Sequence, residues 1–122
     1  MAARRVQTAA RFGTLVAHTA RQWRKAVDRE LQVYGLTEAT WLPLLHVARA
    51  QAPMRQKDLA ASLALDNSSV VRLLDALEAA GMIERRADAA DRRAKDLVLT
   101  RRGQATVAKV ETVSSRIRRD VL

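Results

Sequence analysis

Residues 66–100 read DNSSVVRLLDALEAAGMIERRADAADRRAKDLVLT, and the organisation of this stretch indicates the architecture of the whole chain. Its first part has apolar residues at positions i, i+3, i+4 and i+7, the spacing of one buried helix face. Those residues are Val70, Leu73, Leu74 and Leu77. Gly81 follows the last turn, where a glycine commonly ends a helix. We therefore predict a helix that buries one face and stops before Gly81.

The opposite face of this helix has mostly small or polar side chains. At about 100° per residue it consists of Ser68, Arg72, Asp75, Ala76 and Ala79. Because the side chains around Arg72 are small, this helix face can approach another surface closely while the arginine contacts that surface.

Two short extended runs follow the helix, at Met82 to Arg86 and Leu97 to Leu99. The loop between them is charged and contains Asp88, Asp91, Arg92, Arg93 and Lys95. A helix, a hairpin and a basic loop tip are together typical of a winged helix-turn-helix, which reads DNA. The predicted fold class is mainly α with a small β-hairpin.

The charge of the chain favours a polyanionic partner. Its 22 Lys and Arg outnumber its 13 Asp and Glu, so the net charge is +9. Basic residues concentrate in residues 4–29 and 85–102, and the second group coincides with the charged loop. Nucleic acid is therefore the first predicted partner and an anionic membrane surface the second. Charge alone leaves a generally basic soluble protein as an alternative.

Several classes of site are disfavoured. The chain has no Cys, and His18 and His46 have no second His at i+3 or i+4, so no metal site is predicted. It has no glycine-rich phosphate loop and no paired carboxylates at a catalytic spacing, so we predict neither an enzyme nor a cofactor. No run approaches the roughly 18 apolar residues of a membrane span. The absence of Cys suits a reducing cytoplasm, so we predict a cytoplasmic protein that does not span a membrane.

A long amphipathic helix is predicted from about Arg4 to Val33. Its apolar stripe is Val16, Ala20, Trp23, Val27, Leu31 and Tyr34. About 45 Å at 1.5 Å per residue is longer than so small a domain can cover, so this helix is expected to pack against another chain. Gly35 ends it.

The remaining elements follow from capping and turn signals. Thr37 is a predicted N-cap for the next helix, which contains Pro43 where proline should kink or weaken it. Ala52-Pro53-Met54 is interpreted as a break, and a strand-like third piece of the hairpin sheet is one interpretation of it. A short helix from Arg55 to Leu63 and a tight turn then lead to Asp66, the N-cap of the helix described first.

Thr100 can cap a last helix. Its apolar stripe is Val107, Val110, Val113, Ile117 and Val121.

Two signatures resemble the MarR family of transcriptional regulators. SSVVRLLDALEAAGMIERR followed by DRRAKDLVLT resembles the recognition helix and wing, and WRKAVDRELQVYGLTEATW resembles the SlyA-like branch. The resemblance covers nearly the whole chain. It implies that residues 1–122 form a single domain. It implies an obligate homodimer with dimerisation helices at 4–34 and 101–122 around a DNA-binding lobe at 37–100. It also implies an operator-binding repressor or antirepressor, often modulated by small aromatic carboxylates. Members usually carry further helical residues after the point that corresponds to the end of this chain.

The winged helix predicts how a homodimer would contact a pseudo-palindromic operator in double-stranded DNA. Ser68, Ser69 and Arg72 are assigned to the major groove, with Arg72 as the base reader. Capping of the helix is the alternative for the serines, and for Ser69 it is nearly as strong. Gln56 and Lys57 suit phosphate contacts at a helix N-terminus.

Neighbouring side chains of an extended wing point in opposite directions. One of Arg92 and Arg93 is therefore expected in the minor groove, with the other turned back to pair with Asp91. A solvated charge run is the alternative. Which arginine enters the groove stays open.

The SlyA-like resemblance nominates Arg24 and Trp41 for a small aromatic carboxylate effector, as a guanidinium for the acid and an indole wall for the ring. The alternatives are a core position for Trp41 and a surface or interface charge for Arg24.

The rival function from another class is a sequence-tolerant, nucleoid-associated DNA-binding protein. With 3% aromatic residues the chain lacks the stacking platforms of single-strand binders.

Overall fold

The predicted helix, hairpin and loop of residues 66–100 are present in the computed structural model, which describes residues 2–121. In chain order its elements are α1 (Ala2–Leu31), a 3-10 turn (Gln32–Tyr34), α2 (Glu38–Arg49), β1 (Met54–Arg55), α3 (Gln56–Leu63), α4 (Asn67–Ala79), β2 (Ile83–Ala87), β3 (Lys95–Leu99) and α5 (Arg101–Val121). Met1, Leu122 and the side chain of Val121, the last position of the predicted stripe, lie outside the described residues. The predicted fold class, a winged helix-turn-helix with long terminal helices, is confirmed.

The three strands form one antiparallel sheet in the order β1-β3-β2. Met54 pairs with Leu97, and Arg55 pairs with Asp96, so a third strand is present, but it covers Met54–Arg55 and not the predicted Ala52-Pro53-Met54. The hairpin of β2 and β3 is longer: its pairs run from Ile83 opposite Leu99 to Ala87 opposite Lys95. The wing beyond the sheet is therefore anchored mainly by this hairpin.

One continuous core joins the helices to the sheet. Its fully buried side chains include Trp41, Leu44, Leu45, Leu59, Val70, Leu74 and Ile83. Pro43 also lies buried in the middle of α2, which continues to Arg49. Thr37 is the N-cap residue of α2, but its hydroxyl lies 3.3 Å from the Thr40 hydroxyl and makes no cap bond to the backbone.

Helix α4 ends as the sequence predicts. Gly81 has a φ of 74°, its N–H donates to the Glu78 carbonyl, and the Met82 N–H donates to the Leu77 carbonyl, both at 3.0 Å. A side chain would be strained at that φ, so glycine is the residue that lets the chain leave α4 and enter β2.

A close joint connects this turn to α5. The Thr100 hydroxyl donates to the Gly81 carbonyl at 2.6 Å and accepts from the Gly103 N–H at 3.0 Å, which confirms Thr100 as a cap. Gly103 is buried, and a Cβ at this position would lie 2.0 Å from the Met82 carbonyl oxygen. The start of α5 can approach the hairpin this closely only because Gly103 has no side chain.

Only the C-terminal part of α1 packs within the protomer. Val27 and Leu31 are fully buried, and Arg116 of α5 donates to Glu30 at 2.6 Å. Exposed apolar side chains continue along the first half as Val6, Phe12, Leu15 and Val16, each 50–68% exposed. The protomer thus leaves half of its longest helix uncovered.

Candidate DNA interface and effector cleft

The helix-turn-helix consists of α3 and α4 joined by a tight turn. Ala64 closes α3 with a φ of 54°, and Asp66 begins α4 by accepting the Ser69 N–H at 2.7 Å. That bond is the main reason why the pKa of Asp66 lies below its usual value, followed by the Ser69 hydroxyl. Ser69 is half-buried and engaged in the cap, as the capping alternative expects.

The outer face of α4 is exposed along its length. Ser68, Arg72, Asp75, Ala76 and Ala79 are all exposed, while Val70, Leu74 and Leu77 are buried beneath them. Arg72 has small neighbours at the next turn, and it makes no ion pair with any described residue. Its guanidinium is therefore available to a ligand.

The acidic residue on this face, Asp75, is paired with an arginine of the neighbouring strand β2. Arg85 of β2 donates to Asp75 at 2.6 Å and to Glu78 at 3.2 Å. These two bonds raise the pKa of Arg85, Glu78 contributing most, and the bond from Arg85 lowers the pKa of Glu78. Asp75 consequently repels an approaching polyanion less than a free carboxylate would.

The start of α3 lies beside the start of α4. The Gln56 amide donates to Asn67 at 3.0 Å, so the Gln56 side chain joins the two helices. Lys57 is exposed and has no ion-pair partner among the residues described.

The tip of the wing is a turn, so the expectation of alternating side chains at Arg92 and Arg93 is wrong. Residues 91–94 lie between the strands, and β3 begins only at Lys95. Asp91 accepts the backbone N–H of Arg93 at 3.0 Å and forms no ion pair with either arginine, whose side chains make no described ion pair. The short carboxylate satisfies the backbone of the tight turn, a common role of Asp in turns.

The wing and the helix-turn-helix face a common groove of about 450 Å³. It is lined by Arg55, Gln56, Lys57, Asn67, Asp91, Arg93, Ala94 and Lys95. Arg93 therefore faces the helices, while Arg92 is exposed at the tip outside this groove.

A second cleft, of about 740 Å³, lies among α1, α2 and α3. Its lining includes Arg24, one of the two nominated residues, and Trp23 lines it in place of Trp41. Trp41 is fully buried, donates to Asp28 at 3.1 Å, and meets Trp23 edge-to-face with 6.3 Å between ring centroids. The expectation that Trp41 lines the cleft is therefore wrong. Trp41 lies in the core, where it packs against Trp23.

Both arginines of the cleft already have acidic partners. Arg24 lies 3.5 Å from Glu38, and Arg49 makes two bonds of 3.1 Å to Glu111 of α5. An anion in the cleft would compete with these carboxylates. Arg49 and Glu111 are 62 residues apart, and no local pattern in the sequence links them.

His46 also lines the cleft, where its Nδ1 makes a hydrogen bond with the Ser62 hydroxyl. Burial, followed by the charge of Arg49, lowers the pKa of His46 below its ordinary value. The neutral imidazole is therefore favoured.

No group of metal-ligating side chains occurs in the part of the chain that the structure describes. Within residues 2–121, no helix has the length and apolar character needed to cross a bilayer.

Comparison with solved structures places this geometry among known regulators. The chain is 45% identical to transcriptional regulator PA3341, covering 91% of this chain and 81% of that one with a TM-score of 0.81. CouR from Rhodococcus jostii RHA1, bound to p-coumaroyl-CoA, is 27% identical over 86% of this chain and 73% of its own, with a TM-score of 0.73. A DNA complex of MepR from S. aureus, 24% identical, covers 90% and 80% with a TM-score of 0.71 and shows the same fold.

The MarR family profile matches residues 34–94, half of the chain. Together with the 45% identity to PA3341, this match confirms the resemblance to the MarR family. The chain belongs to the MarR family of transcriptional regulators.

Proposed function

We propose that this chain is a homodimeric transcriptional regulator, not an enzyme, that binds a pseudo-palindromic operator in double-stranded DNA. The observation that carries the proposal is the division of its cations. Arg85 is paired within the fold, whereas Arg72 and Arg92 make no ion pair within residues 2–121. Free guanidinium groups on an exposed helix face and at a loop tip suit phosphates and base edges.

The recognition helix in this proposal is α4. Arg72 reads a guanine through two hydrogen bonds, and Ser68 approaches the same groove because its neighbours on that face are small. Ser69 contributes mainly by its place in the cap. Lys57 contacts a phosphate, and Gln56 does so from its position beside Asn67.

In the wing we assign Arg92 to the minor groove. Arg93 faces the groove shared with α3, while Arg92 is exposed at the tip. A narrow A·T-rich minor groove attracts such an arginine. Asp91 supports both by holding the turn.

The dimer in this proposal uses α1 and α5, so residues 4–34 and 101–122 form the dimerisation helices and 37–100 the DNA-binding lobe. Support comes from the uncovered apolar residues of α1, such as Phe12 and Leu15, and from the packing of α1 on α5. A protein of the same fold, MepR, has been crystallised with DNA. Two lobes related by a twofold axis would enter major grooves about one helical turn apart.

A small aromatic acid is the proposed effector, and the cleft beside α2 is its site. CouR, a relative by fold and sequence, binds p-coumaroyl-CoA. Arg24 would contact the carboxylate and Trp23 the ring, with Trp41 as the support of Trp23. The same Trp and Arg pattern is the reason to propose the SlyA-like branch.

The decisive experiment is in vitro selection of bound sequences from random DNA with the purified protein, followed by footprinting with and without salicylate. Enrichment of a two-part site is expected, and salicylate should weaken the footprint. Salt-dependent binding without any enriched sequence would instead favour the nucleoid-associated alternative.

A further inference from the structure

We infer that the ion pair between Arg55 and Asp88 sets the position of the wing relative to the helix-turn-helix. Arg55 Nη2 donates to Asp88 Oδ2 at 3.1 Å across 33 residues of sequence. This inference rests on the proposed DNA-binding function, because the relative position of wing and recognition helix matters when one duplex must meet both.

Both ends of the pair are themselves anchored. The backbone N–H of Arg55 donates to Asp58 at 3.0 Å, which ties Arg55 to the first turn of α3. Asp88 uses its other oxygen to accept the N–H groups of Ala90 and Asp91, at 2.7 and 3.3 Å. One carboxylate therefore shapes the wing turn and, at the same time, connects it to the start of the helix-turn-helix.

The other links between the sheet and the helix-turn-helix that the structure describes lie below the wing turn, and they include the pairing of Arg85 in β2 with Asp75 and Glu78 of α4. β1 contributes only the pairs Met54 to Leu97 and Arg55 to Asp96, and both lie below the wing turn. Beyond them the wing continues only as the two-stranded hairpin, and isolated two-stranded ribbons twist readily. A side-chain link at Asp88, just past the end of β2, is placed where it limits that motion.

The pair is shielded enough to be structural. The side chain of Arg55 is 34% exposed and that of Asp88 is 18% exposed, against 63% and 51% for the Arg86–Glu84 pair within β2. The bond to Asp88 is also the first cause that raises the pKa of Arg55.

A direct phosphate contact is the competing role for Arg55, since it lines the groove between wing and helices. Its surroundings oppose that role. Asp88, Asp91 and Asp96 all act on Arg55 electrostatically, so its charge is already compensated. Lys57, by contrast, makes no ion pair within residues 2–121. Arg55 is thus a positioning residue and not a reader.

The first test measures the wing directly and needs no DNA. The chain has no Cys, so Ala89→Cys in the wing and Ala61→Cys on α3, both exposed, allow two spin labels at chosen sites. Mixing labelled protein with an excess of unlabelled protein reduces the signal from pairs of labels on different protomers. Pulsed double electron–electron resonance should give one narrow distance, and both Asp88→Asn and Arg55→Met should broaden or shift it. Asn keeps an oxygen to accept the backbone N–H groups of the turn but removes the charge. An unchanged distribution in both variants would overturn the inference.

The second test uses DNA selected by the unmutated protein. Each variant should bind it about 5- to 20-fold more weakly, and the double variant no more weakly than the worse single one, because both remove the same link. Hydroxyl-radical protection by the wing should be lost, while guanine N7 protection by α4 remains. Arg86→Met is the matched control and should change neither.

Opposite behaviour of the two variants would identify a phosphate contact. Arg55→Met would then weaken binding and lower its salt dependence by about one phosphate, while Asp88→Asn would bind as well as the unmutated protein or better. If Arg55→Met unfolds, Arg55→Gln replaces it, and a wing about as free as in Asp88→Asn is expected because glutamine removes the charge that pairs with Asp88. Failure of the unmutated protein to enrich any sequence would reject the proposed function, while the spin-label distances would still test the link.

Discussion

At the scale of single residues, the clearest contrast is between arginines that look alike in the sequence. Arg72, Arg85 and Arg92 all lie in the stretch that carries the DNA-binding signature. Arg85 is committed to Asp75 and Glu78, whereas Arg72 and Arg92 have no ion pair within residues 2–121. Charge counts along the chain therefore overstate the number of cations available to DNA.

Arg72→Ala should cost roughly 1–3 kcal/mol of binding free energy on the selected site, because a bidentate contact to guanine is lost. Titration of the selected site and of point variants of it measures this cost, and discrimination at one base position should relax. Arg86→Ala, an exposed arginine paired within its own strand, is the control. If Arg72→Ala weakened binding to random DNA by the same factor, Arg72 would contact a phosphate and not a base.

His46 should make folding stability dependent on pH. Its pKa is lowered in the folded protein, so the unfolded chain binds the proton more readily. The resulting stability is present above the ordinary value of 6.5 and is lost as the pH falls through the lower folded value. Urea denaturation at pH 7.5 and 5.5 should show this loss, and His46→Gln should reduce it. The same change at His18, which is exposed on α1, should leave the loss in place.

At the scale of elements, the joint between the hairpin and α5 determines how the terminal helix leaves the DNA-binding lobe. Thr100 was predicted as a cap from its residue type alone, and the structure confirms it. Gly103 carried no such signal, because a glycine three residues into a helix usually only weakens it. Its importance comes from the Met82 carbonyl, which approaches from the other side of the joint.

Gly103→Ala should therefore destabilise the fold, although alanine favours helices. A Cβ 2.0 Å from the Met82 carbonyl oxygen forces α5 away from the hairpin, which should cost about 1–3 kcal/mol or more. Thermal unfolding measures the effect. Gln104→Ala, exposed in the same turn, should change stability by less than about 0.5 kcal/mol. Similar melting curves for both variants would show that the joint can adapt.

At the scale of the whole molecule, α1 indicates an assembly larger than one chain. Phe12 is 68% exposed and Leu15 is 62% exposed on a helix whose other end is buried in the core. Exposed apolar side chains along one helix are typical of an interface.

Phe12→Asp should shift the protein from dimer to monomer and weaken operator binding, because each lobe would then bind alone. Analytical ultracentrifugation measures the first effect and titration of the selected site the second. The lobe itself should keep its helical circular dichroism, since Phe12 lies outside its core. Thr14→Asp is the control, since it lies across the helix from Phe12 and Val16 at about 100° per residue. A dimer that persists in Phe12→Asp would place the interface elsewhere.

Local pattern and residue type were enough to predict the helices, the hairpin, the caps at Asp66 and Thr100 and the exposed face of α4. Periodicity and capping act over a few residues, so the sequence contains all that they need. The turn at the wing tip was missed although its bond from the Arg93 N–H to Asp91 is local and typical of Asp in turns. The place of Trp41 and the partners of Arg49 and Arg55 could not be predicted in this way. They depend on hydrogen bonds or packing between segments distant in sequence, as in the bonds from Arg49 to Glu111 and from Arg55 to Asp88. Which charges stay free for DNA is thus a property of the folded protein, because the fold alone brings each arginine to its carboxylate or leaves it without one.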